Sequence, residues 1–422
     1  MKRVATKILC GTIGLLAVVL LTVSCGGGAA AGKNQVTIRI YQNQPEYTDA
    51  FNAYVEAYKR VKPNIKIDME ILQADYPSVL KAKIASGNMP DVFASAPGPE
   101  LQQYDQYSED LSNQPLAKVM TDSAKAILTY NNKLEGLVYK IDEFGIIYNK
   151  KMFEEAGITE LPMTRPQLED AAKKLLAKGH TPFSAGYKEW WVFKHVFQQF
   201  QAADAGLDAG KVVNDFVEGK TTFADHPKLA EFFDFIDFTL KYGAPKPLET
   251  DFNAQCAAIA TGKVAMLIGQ GTWAEDTIKK ITPDIEIGFT PYAITDSKDD
   301  TVLTAGGGCV IHINNKSSVK KETLDFFNWL FTSDYAKEWF PKVAKVISPI
   351  NGMPGPEGQQ LPQSFADLAK TIPPKGEPIN YSPDSFHMKF GEIMQGYIGK
   401  KLSKAQAIAQ IQQAWQQLGG SK

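Results

Sequence analysis

The chain has 422 residues, of which 45 are Lys or Arg and 47 are Asp or Glu, so its formal net charge is −2. This length predicts two domains, and the balanced charge excludes a nucleic-acid-binding protein. Apolar residues make up 44% and charged residues 22%, which excludes a largely disordered chain. The aromatic content of 11% suits large cores and also a ligand with flat apolar faces.

The N-terminus has the pattern of an exported lipoprotein. Basic residues at 2, 3 and 7 precede an uncharged run over 8–24 rich in Leu, Val and Ile, which predicts a signal peptide over 1–24. Cys25 and three glycines follow, a sequence that resembles the bacterial lipobox, so Cys25 is the expected lipidation site. An uncleaved anchor is the alternative, and both place the remaining chain outside the cytoplasm. Residues 25–35 predict a flexible tether.

Strand and helix patterns alternate after the tether. Apolar residues alternate with polar ones over 36–40 and 65–71, and they recur at helical spacing over 47–58. A second helix over 79–84 and a short buried strand over 90–94 follow. This βαβ pattern predicts a parallel sheet covered by helices, with ligands bound beyond the carboxyl ends of the strands.

The second half of the chain continues this pattern with more helix. Buried strands are predicted at 144–148 and 264–268, and an extended segment over 302–313 contains three consecutive glycines. Helices are predicted at 166–178, before Gly179, and then at 229–240 and 319–340. A final helical pair follows a segment rich in Pro and Gly over 349–362.

Sequence signatures of catalysis and cofactor binding are absent. The chain has no GxSxG, Walker A or HExxH sequence, and its five histidines have no partner at metal-ligand spacing. Cys256 and Cys309 also lack metal-site spacing, and we expect two buried free thiols rather than a disulfide. The sequence therefore predicts no catalytic residue, no metal and no cofactor.

Aromatic and polar side chains stand together near the ends of several predicted strands. Aromatic faces stack on the C–H faces of a sugar, while carboxylates and amides bind its hydroxyls. Because Asp142 and Glu143 are adjacent on a strand, they point to opposite faces, which favours a ligand or hinge role over a glycosidase pair. The groups that predict a sugar site are Tyr41, Gln42, Gln44 and Glu46, then Asp142 and Glu143, then Trp190 and Trp191, and finally Trp273.

The order of several segments resembles the extracellular solute-binding proteins of ABC sugar importers, the family that includes maltose-binding protein. The segments that carry the resemblance are 89–93, 134–139, 147–157 and 262–274, followed by three glycines at 306–308 and the helix from Lys321. The resemblance covers most of the chain after Cys25.

This resemblance implies an α/β fold of the two-lobed periplasmic-binding-protein type. Each lobe is expected to be a mostly parallel sheet flanked by helices, with the ligand in the cleft between the lobes and hinge closure around it. The chain would cross between the lobes near 140–144, 304–307 and 347–351. Lobe one would comprise 33–141 and 307–347, and lobe two would comprise 142–306 and 348–422.

The resemblance also implies ligand-binding roles for single residues. Trp273 matches the family's stacking Trp, and Asp142 matches the acidic residue at the first crossing. The glycines at the second crossing suit a hinge. The complete set expected around the ligand is Tyr41, Gln42, Gln44, Glu46, Asp142, Glu143, Trp190, Trp191, Trp273, Gly306, Gly307 and Phe386.

These features predict a lipid-anchored substrate-binding protein that captures a mono- or oligosaccharide outside the cytoplasmic membrane and delivers it to the transmembrane subunits of an ABC permease. It is expected to be a monomer and to catalyse no reaction. An exported carbohydrate hydrolase or lyase, a protein of the same fold for a non-sugar solute, and a sensory partner of a receptor are the alternatives. The chain contains only four arginines, which disfavours an anionic solute.

Overall fold

The computed structural model describes residues 35–72, 75–205 and 208–419. The predicted signal peptide, Cys25 and the predicted tether up to residue 34 lie outside these residues. None of the helices in the described ranges combines the length and the apolar character that crossing a membrane requires.

The first hydrophobic core, drawn from residues 38–139 and 309–350, surrounds a four-stranded sheet. In sheet order, the strands are Val310–Ile313, Val92–Ser95, Val36–Gln42 and Ile65–Ile71. Two of the three pairings are parallel, and the pairing of Val310–Ile313 with Val92–Ser95 is antiparallel. The helices of this part of the chain are Thr48–Val61, Tyr76–Ala85, Pro99–Tyr104, Pro115–Val119, Asp122–Ala126, Lys320–Thr332 and Ala336–Glu338.

Helical spacing of aromatic residues explains how Thr48–Val61 joins this core. Phe51, Tyr54 and Tyr58 recur every three or four residues, so all three lie on the buried face of the helix. The ring of Tyr54 contacts that of Phe326, with 4.3 Å between the centroids. Each such buried side chain contributes about 1.5–3 kcal/mol of hydrophobic stabilisation.

The helix predicted over 319–340 is interrupted. It ends at Thr332, and Ser333 has an extended backbone before the short helix Ala336–Glu338 and a π-helical turn over Trp339–Val343. The interruption places the Trp339 indole in the core, where its Nε1 donates a hydrogen bond of 2.8 Å to the carbonyl of Ala50. Tertiary packing thus overrides the helical spacing of the sequence.

The second hydrophobic core, drawn from residues 146–303 and 361–415, surrounds another four-stranded sheet. Its strands, in sheet order, are Ile287–Thr290, Ile146–Asn149, Val264–Ile268 and Thr181–Ala185. Only the last pairing is parallel, so the expectation of a mostly parallel sheet is wrong here. The helices are Lys150–Glu155, Arg165–Ala177, Trp190–Ala205, Ala209–Val217, Pro227–Lys241, Phe252–Ala260, Ala274–Ile281, Leu361–Ala369, Asp384–Ile398 and Lys404–Leu418.

Chain direction explains this difference. Ile146–Asn149 begins immediately after the segment Asp142–Phe144, which comes from the first core. Val264–Ile268 instead runs toward Gly269 and Trp273, on the side from which Ile146–Asn149 enters. The two strands therefore run in opposite directions when they pair.

The chain passes between the two cores at 139–146, 303–309 and 350–361. At the first two passages, Asp142–Phe144 and Thr304–Gly306 pair as antiparallel strands. A bridge between Ile141 and Ile347 ties the chain just before the third passage to the first passage. These neighbouring segments lie beside the cavity described next.

Candidate functional site

A cavity of about 120 Å³ lies between the two cores, beside the crossing segments. Both cores contribute to its wall, together with the crossing strand Asp142–Phe144. Its wall contains both aromatic and charged side chains. The lining residues are Asn43, Gln44, Glu46, Pro77, Ser95, Ala96, Lys140, Asp142, Phe144, Trp190, Trp191, Lys194, His195, Phe252, Trp273, Gly308, Cys309, Ile379 and Asp384.

Half of the residues predicted around the ligand line this cavity. They come from the loop after the first strand, the first crossing, the start of Trp190–Ala205 and the turn after Val264–Ile268. Loops and strand ends of both cores thus converge on one site. The six residues are Gln44, Glu46, Asp142, Trp190, Trp191 and Trp273.

Two predicted aromatic contacts belong to the cores instead. The Tyr41 ring stacks on that of Tyr76 with centroids 4.4 Å apart. The Phe386 ring stacks on Trp415 at 4.9 Å. Both side chains are about 1% exposed, so neither ring is available to a ligand in the cavity.

The four other predicted residues also lie outside the cavity lining. Gln42 is buried, and its Nε2 contacts the sulfur of Met69 at 3.1 Å. Glu143 points away from the Asp142 side of its strand, and Oε2 of its carboxylate is buried without a hydrogen-bond partner. Gly306 and Gly307 lie in the second crossing, where packed side chains leave no room for a Cβ.

One ion pair stands at the first crossing. Lys140 and Asp142 are two residues apart on extended chain, so their side chains share a face, and Nζ of Lys140 donates to Oδ1 of Asp142. The Lys140 ammonium also lies 5.2 Å from the centroid of the Trp273 ring, within the range of a cation–π contact. We call Lys140, Asp142 and Trp273 the crossing triad.

A second set of the same residue types stands on two helices. Nζ of Lys194 lies 2.7 Å from Oδ1 of Asp384 and 5.1 Å from the centroid of the Trp190 ring. Lys194 follows Trp190 by one helical turn, and Asp384 is the first residue of Asp384–Ile398, where an anion is favoured. We call Trp190, Lys194 and Asp384 the helix triad.

Glu100 links the helix triad to the first core. Its Oε1 accepts a hydrogen bond of 2.8 Å from the backbone N–H of Asp384, and its Oε2 accepts one of 2.9 Å from Ala96. Glu100 belongs to Pro99–Tyr104, whose Leu101 and Tyr104 lie in the first core. Burial, together with the nearby Asp384 carboxylate, raises the pKa of Glu100 to about 7.

The cavity also contains an acidic group and a thiol. Burial raises the pKa of Glu46 to about 6. Cys309 is buried and free, and its Sγ donates to Oδ1 of Asn43 at 3.3 Å. Cys256 is also buried and free, so the structure has the two thiols in the expected state. Among the described residues, no three His, Cys, Asp or Glu side chains are grouped as metal ligands.

Sequence reasoning missed Lys140, Lys194, His195 and Asp384. Lys194 and His195 follow Trp190 and Trp191 by four residues each, so the helical period places each on the face of a predicted aromatic residue. That signal could have identified both. Asp384 follows Pro383 at a helix start, but its pairing with a lysine 190 residues away required the fold.

Comparisons with known proteins agree with this architecture. Residues 44–337 match the model of the bacterial extracellular solute-binding protein family. The "Multiple sugar-binding protein" of Streptococcus mutans is 23% identical over 340 residues, which cover 79% of this chain and 80% of that protein.

Solved structures are similar over nearly the whole chain. A "Chitin oligosaccharide binding protein" has a TM-score of 0.79 and 18% identity, with 92% of this chain and 99% of that chain covered. The solute-binding protein RafE in complex with raffinose has a TM-score of 0.77 and 22% identity, with 91% and 99% covered.

These similarities confirm the predicted two-lobed α/β fold. The matched family and the neighbouring structures are binding proteins rather than enzymes. The family model spans well over half of the sequence. The chain therefore belongs to the bacterial extracellular solute-binding protein family.

Proposed function

We propose that this chain is the substrate-binding protein of an ABC importer and that it captures a mono- or oligosaccharide in the cavity between its cores. The observation that carries the proposal is the combination of Trp190, Trp191 and Trp273 with two Lys–Asp ion pairs in one cavity. Indole rings provide flat apolar surface for the C–H faces of a sugar ring, and the charged groups provide hydrogen bonds for its hydroxyls.

The charges of the cavity favour an uncharged ligand. Each of its two lysines is paired with an aspartate, and no arginine lines it. An anionic solute would need unpaired cationic groups or a bidentate guanidinium.

The two cores correspond in this proposal to the two lobes, 33–141 with 307–347 and 142–306 with 348–422. A ligand that contacts both lobes stabilises the closed arrangement, whereas a ligand that contacts one lobe does not. Binding would thus shift the population toward the form that the permease recognises. The similar proteins named for sugars support this assignment.

The N-terminal sequence supports export and anchoring. We propose cleavage after residue 24, lipidation of Cys25, and anchoring of a monomer to a bacterial membrane, with its body outside the cytoplasm at the cell surface or in the periplasm. Replacement of Cys25 by Ala should release the protein from the membrane fraction. Mass spectrometry of the N-terminal peptide distinguishes a diacylated cysteine from an uncleaved anchor.

Titration with saccharides tests the binding function. The purified full chain in detergent is titrated with raffinose, a chitin disaccharide, maltose and glucose, while tryptophan fluorescence and the melting temperature are recorded. At least one sugar should bind and raise the melting temperature. Trp273→Ala should weaken its binding roughly thirtyfold, or about 2 kcal/mol, because it removes a buried aromatic contact.

Trp329→Ala is the matched control, because the Trp329 ring packs against Tyr335 in the first core and does not line the cavity. It should leave sugar affinity unchanged. Chromatography of each sugar after prolonged incubation tests the hydrolase or lyase alternative. Binding of no sugar, or release of cleavage products, would contradict the proposed function.

A further inference from the structure

His195 lies in the cavity wall inside an aromatic cage. It belongs to Trp190–Ala205, one helical turn after Trp191. The centroid of its imidazole lies 5.0 Å from that of Phe144, 5.3 Å from that of Trp191 and 5.4 Å from that of Trp273. These rings fix the plane of the imidazole, so the direction of each ring nitrogen is defined.

The hydrogen-bond partner of His195 determines its tautomer. Nδ1 lies 3.2 Å from the backbone carbonyl oxygen of Gly269. Because a carbonyl oxygen can only accept, Nδ1 must carry the hydrogen. Burial and the nearby Lys194 ammonium lower the pKa of His195 well below its usual value, which keeps the ring neutral. Nε2 therefore has a lone pair and no hydrogen.

The Nε2 lone pair has no donor within the described chain. Neither Lys140 nor Lys194 makes a hydrogen bond to it, since each ammonium is directed to its aspartate. His195 lines the cavity, and its Nε2 is not one of the fully buried side-chain nitrogens that lack a hydrogen-bond partner. This nitrogen is therefore reachable from the cavity. A ligand that displaced water from this position without donating a hydrogen would leave the acceptor unsatisfied.

We propose that His195 is a ligand-binding residue that accepts a hydrogen from one hydroxyl group of the saccharide through Nε2. This inference rests on the proposed function and adds a specificity rule to it. Nε2 can accept a hydrogen from the ligand but cannot donate one, so it selects a free hydroxyl and rejects the same position when that position is deoxygenated, fluorinated or methylated. In this proposal, the indoles of Trp191 and Trp273 contact the apolar face of the sugar ring, and stacking does not distinguish a hydroxyl from its deoxygenated, fluorinated or methylated form.

His195→Phe tests the proposal, since it keeps an aromatic ring in the cage and removes the acceptor. In the full chain, it should bind the sugar identified among raffinose, the chitin disaccharide, maltose and glucose about tenfold more weakly or worse. His195→Gln, which restores an acceptor, should recover part of the affinity. His180→Phe is the control, because His180 pairs with Glu155 outside the cavity.

Singly deoxygenated and fluorinated derivatives of that sugar separate a hydrogen bond from a packing effect. In the unmutated chain, one derivative should bind about tenfold more weakly than the parent sugar. In His195→Phe, that derivative and the parent sugar should bind with equal affinity. Equal affinity of the unmutated chain and His195→Phe would overturn the inference alone. The inference would also be overturned if each derivative lost the same affinity, relative to the parent sugar, in the unmutated chain and in His195→Phe. Failure of the unmutated chain to bind any sugar would overturn the proposed function, and this inference with it.

Discussion

The crossing triad and the helix triad contain the same three residue types, but they are assembled differently. In the crossing triad, the two charges lie two residues apart on one segment. In the helix triad, they lie 190 residues apart on two helices. A local pair keeps its geometry as long as its segment stays extended, whereas a distant pair depends on the packing of both helices.

The two triads also differ in their contacts with the first core. Glu100, from the first core, accepts the backbone N–H of Asp384 in the helix triad, which otherwise belongs to the second core. The crossing triad sits where the segments between the cores already pair with one another. We infer that opening of the cavity would remove a support of the helix triad and leave the crossing triad intact.

The largest effect is expected from Asp142→Ala. The Lys140 side chain is 7% exposed, so loss of Asp142 leaves a buried ammonium without its ion-pair partner. The free energy of unfolding should fall by about 3–5 kcal/mol. Asp384→Ala should have a smaller effect, because the side chains of that pair are each 11% exposed. Urea unfolding followed by circular dichroism measures both differences.

Asp122→Ala is the control for removal of an aspartate from an ion pair. Asp122 pairs with Lys125 at 2.8 Å, but its side chain is 98% exposed. A much smaller change than that of Asp142→Ala is expected, because solvent screens an exposed ion pair. If Asp384→Ala destabilised the protein as much as Asp142→Ala does, the difference in burial would not distinguish the two triads.

Glu100→Gln tests whether the first core supports the helix triad, and we expect an intermediate loss of sugar affinity. The amide keeps one acceptor and directs its NH₂ group at the second backbone N–H, so one of the two hydrogen bonds is lost. Affinity for the bound sugar should fall about fivefold to tenfold, or about 1–1.4 kcal/mol. Isothermal titration calorimetry measures this change.

The control is Glu70→Gln, which removes an exposed carboxylate paired with Lys83 in the first core. It should leave sugar affinity unchanged. Unchanged affinity of Glu100→Gln as well would show that the helix triad needs no support across the cavity.

The difference between the triads also explains what the sequence predicts well. Asp142 and Trp273 belong to the crossing triad, and each stands in a segment that carries the family resemblance or adjoins one. Most helices and strands follow from apolar spacing, as in Thr48–Val61 and Val264–Ile268. Local patterns suffice where the structure is built from neighbours in sequence.

Features that depend on distant contacts could not be predicted in this way. Asp384 meets Lys194, and Glu100 meets Asp384, only after the chain has folded. The apolar run over 144–148 predicts a buried strand but carries no information on its direction in the sheet. The sequence likewise does not show that Phe386 faces the core rather than the ligand, because the packing of its helix decides the direction of the side chain.

Glu377 is a buried carboxyl group behind the crossing triad. Its Oε2 accepts a hydrogen bond of 3.2 Å from Nδ2 of Asn380, and its Oε1 has no partner within the described chain. Burial and the nearby Asp142 raise its pKa to about 8, although Lys140 and Lys194 oppose the shift. The folded protein therefore keeps a proton here that the unfolded chain releases near pH 4.3.

Because folding raises this pKa, its contribution to stability is complete below about pH 4 and disappears as the pH rises to about 8. Glu377→Gln replaces the protonated carboxyl with a neutral amide and removes that dependence. The melting temperature of the variant relative to the unmutated chain should therefore increase between pH 5 and pH 9, as differential scanning calorimetry can measure. Glu357→Gln, in the exposed pair with Lys342, should show no such trend. A constant difference between Glu377→Gln and the unmutated chain across this range would mean that Glu377 is ionised in the folded protein and places a negative charge beside the crossing triad.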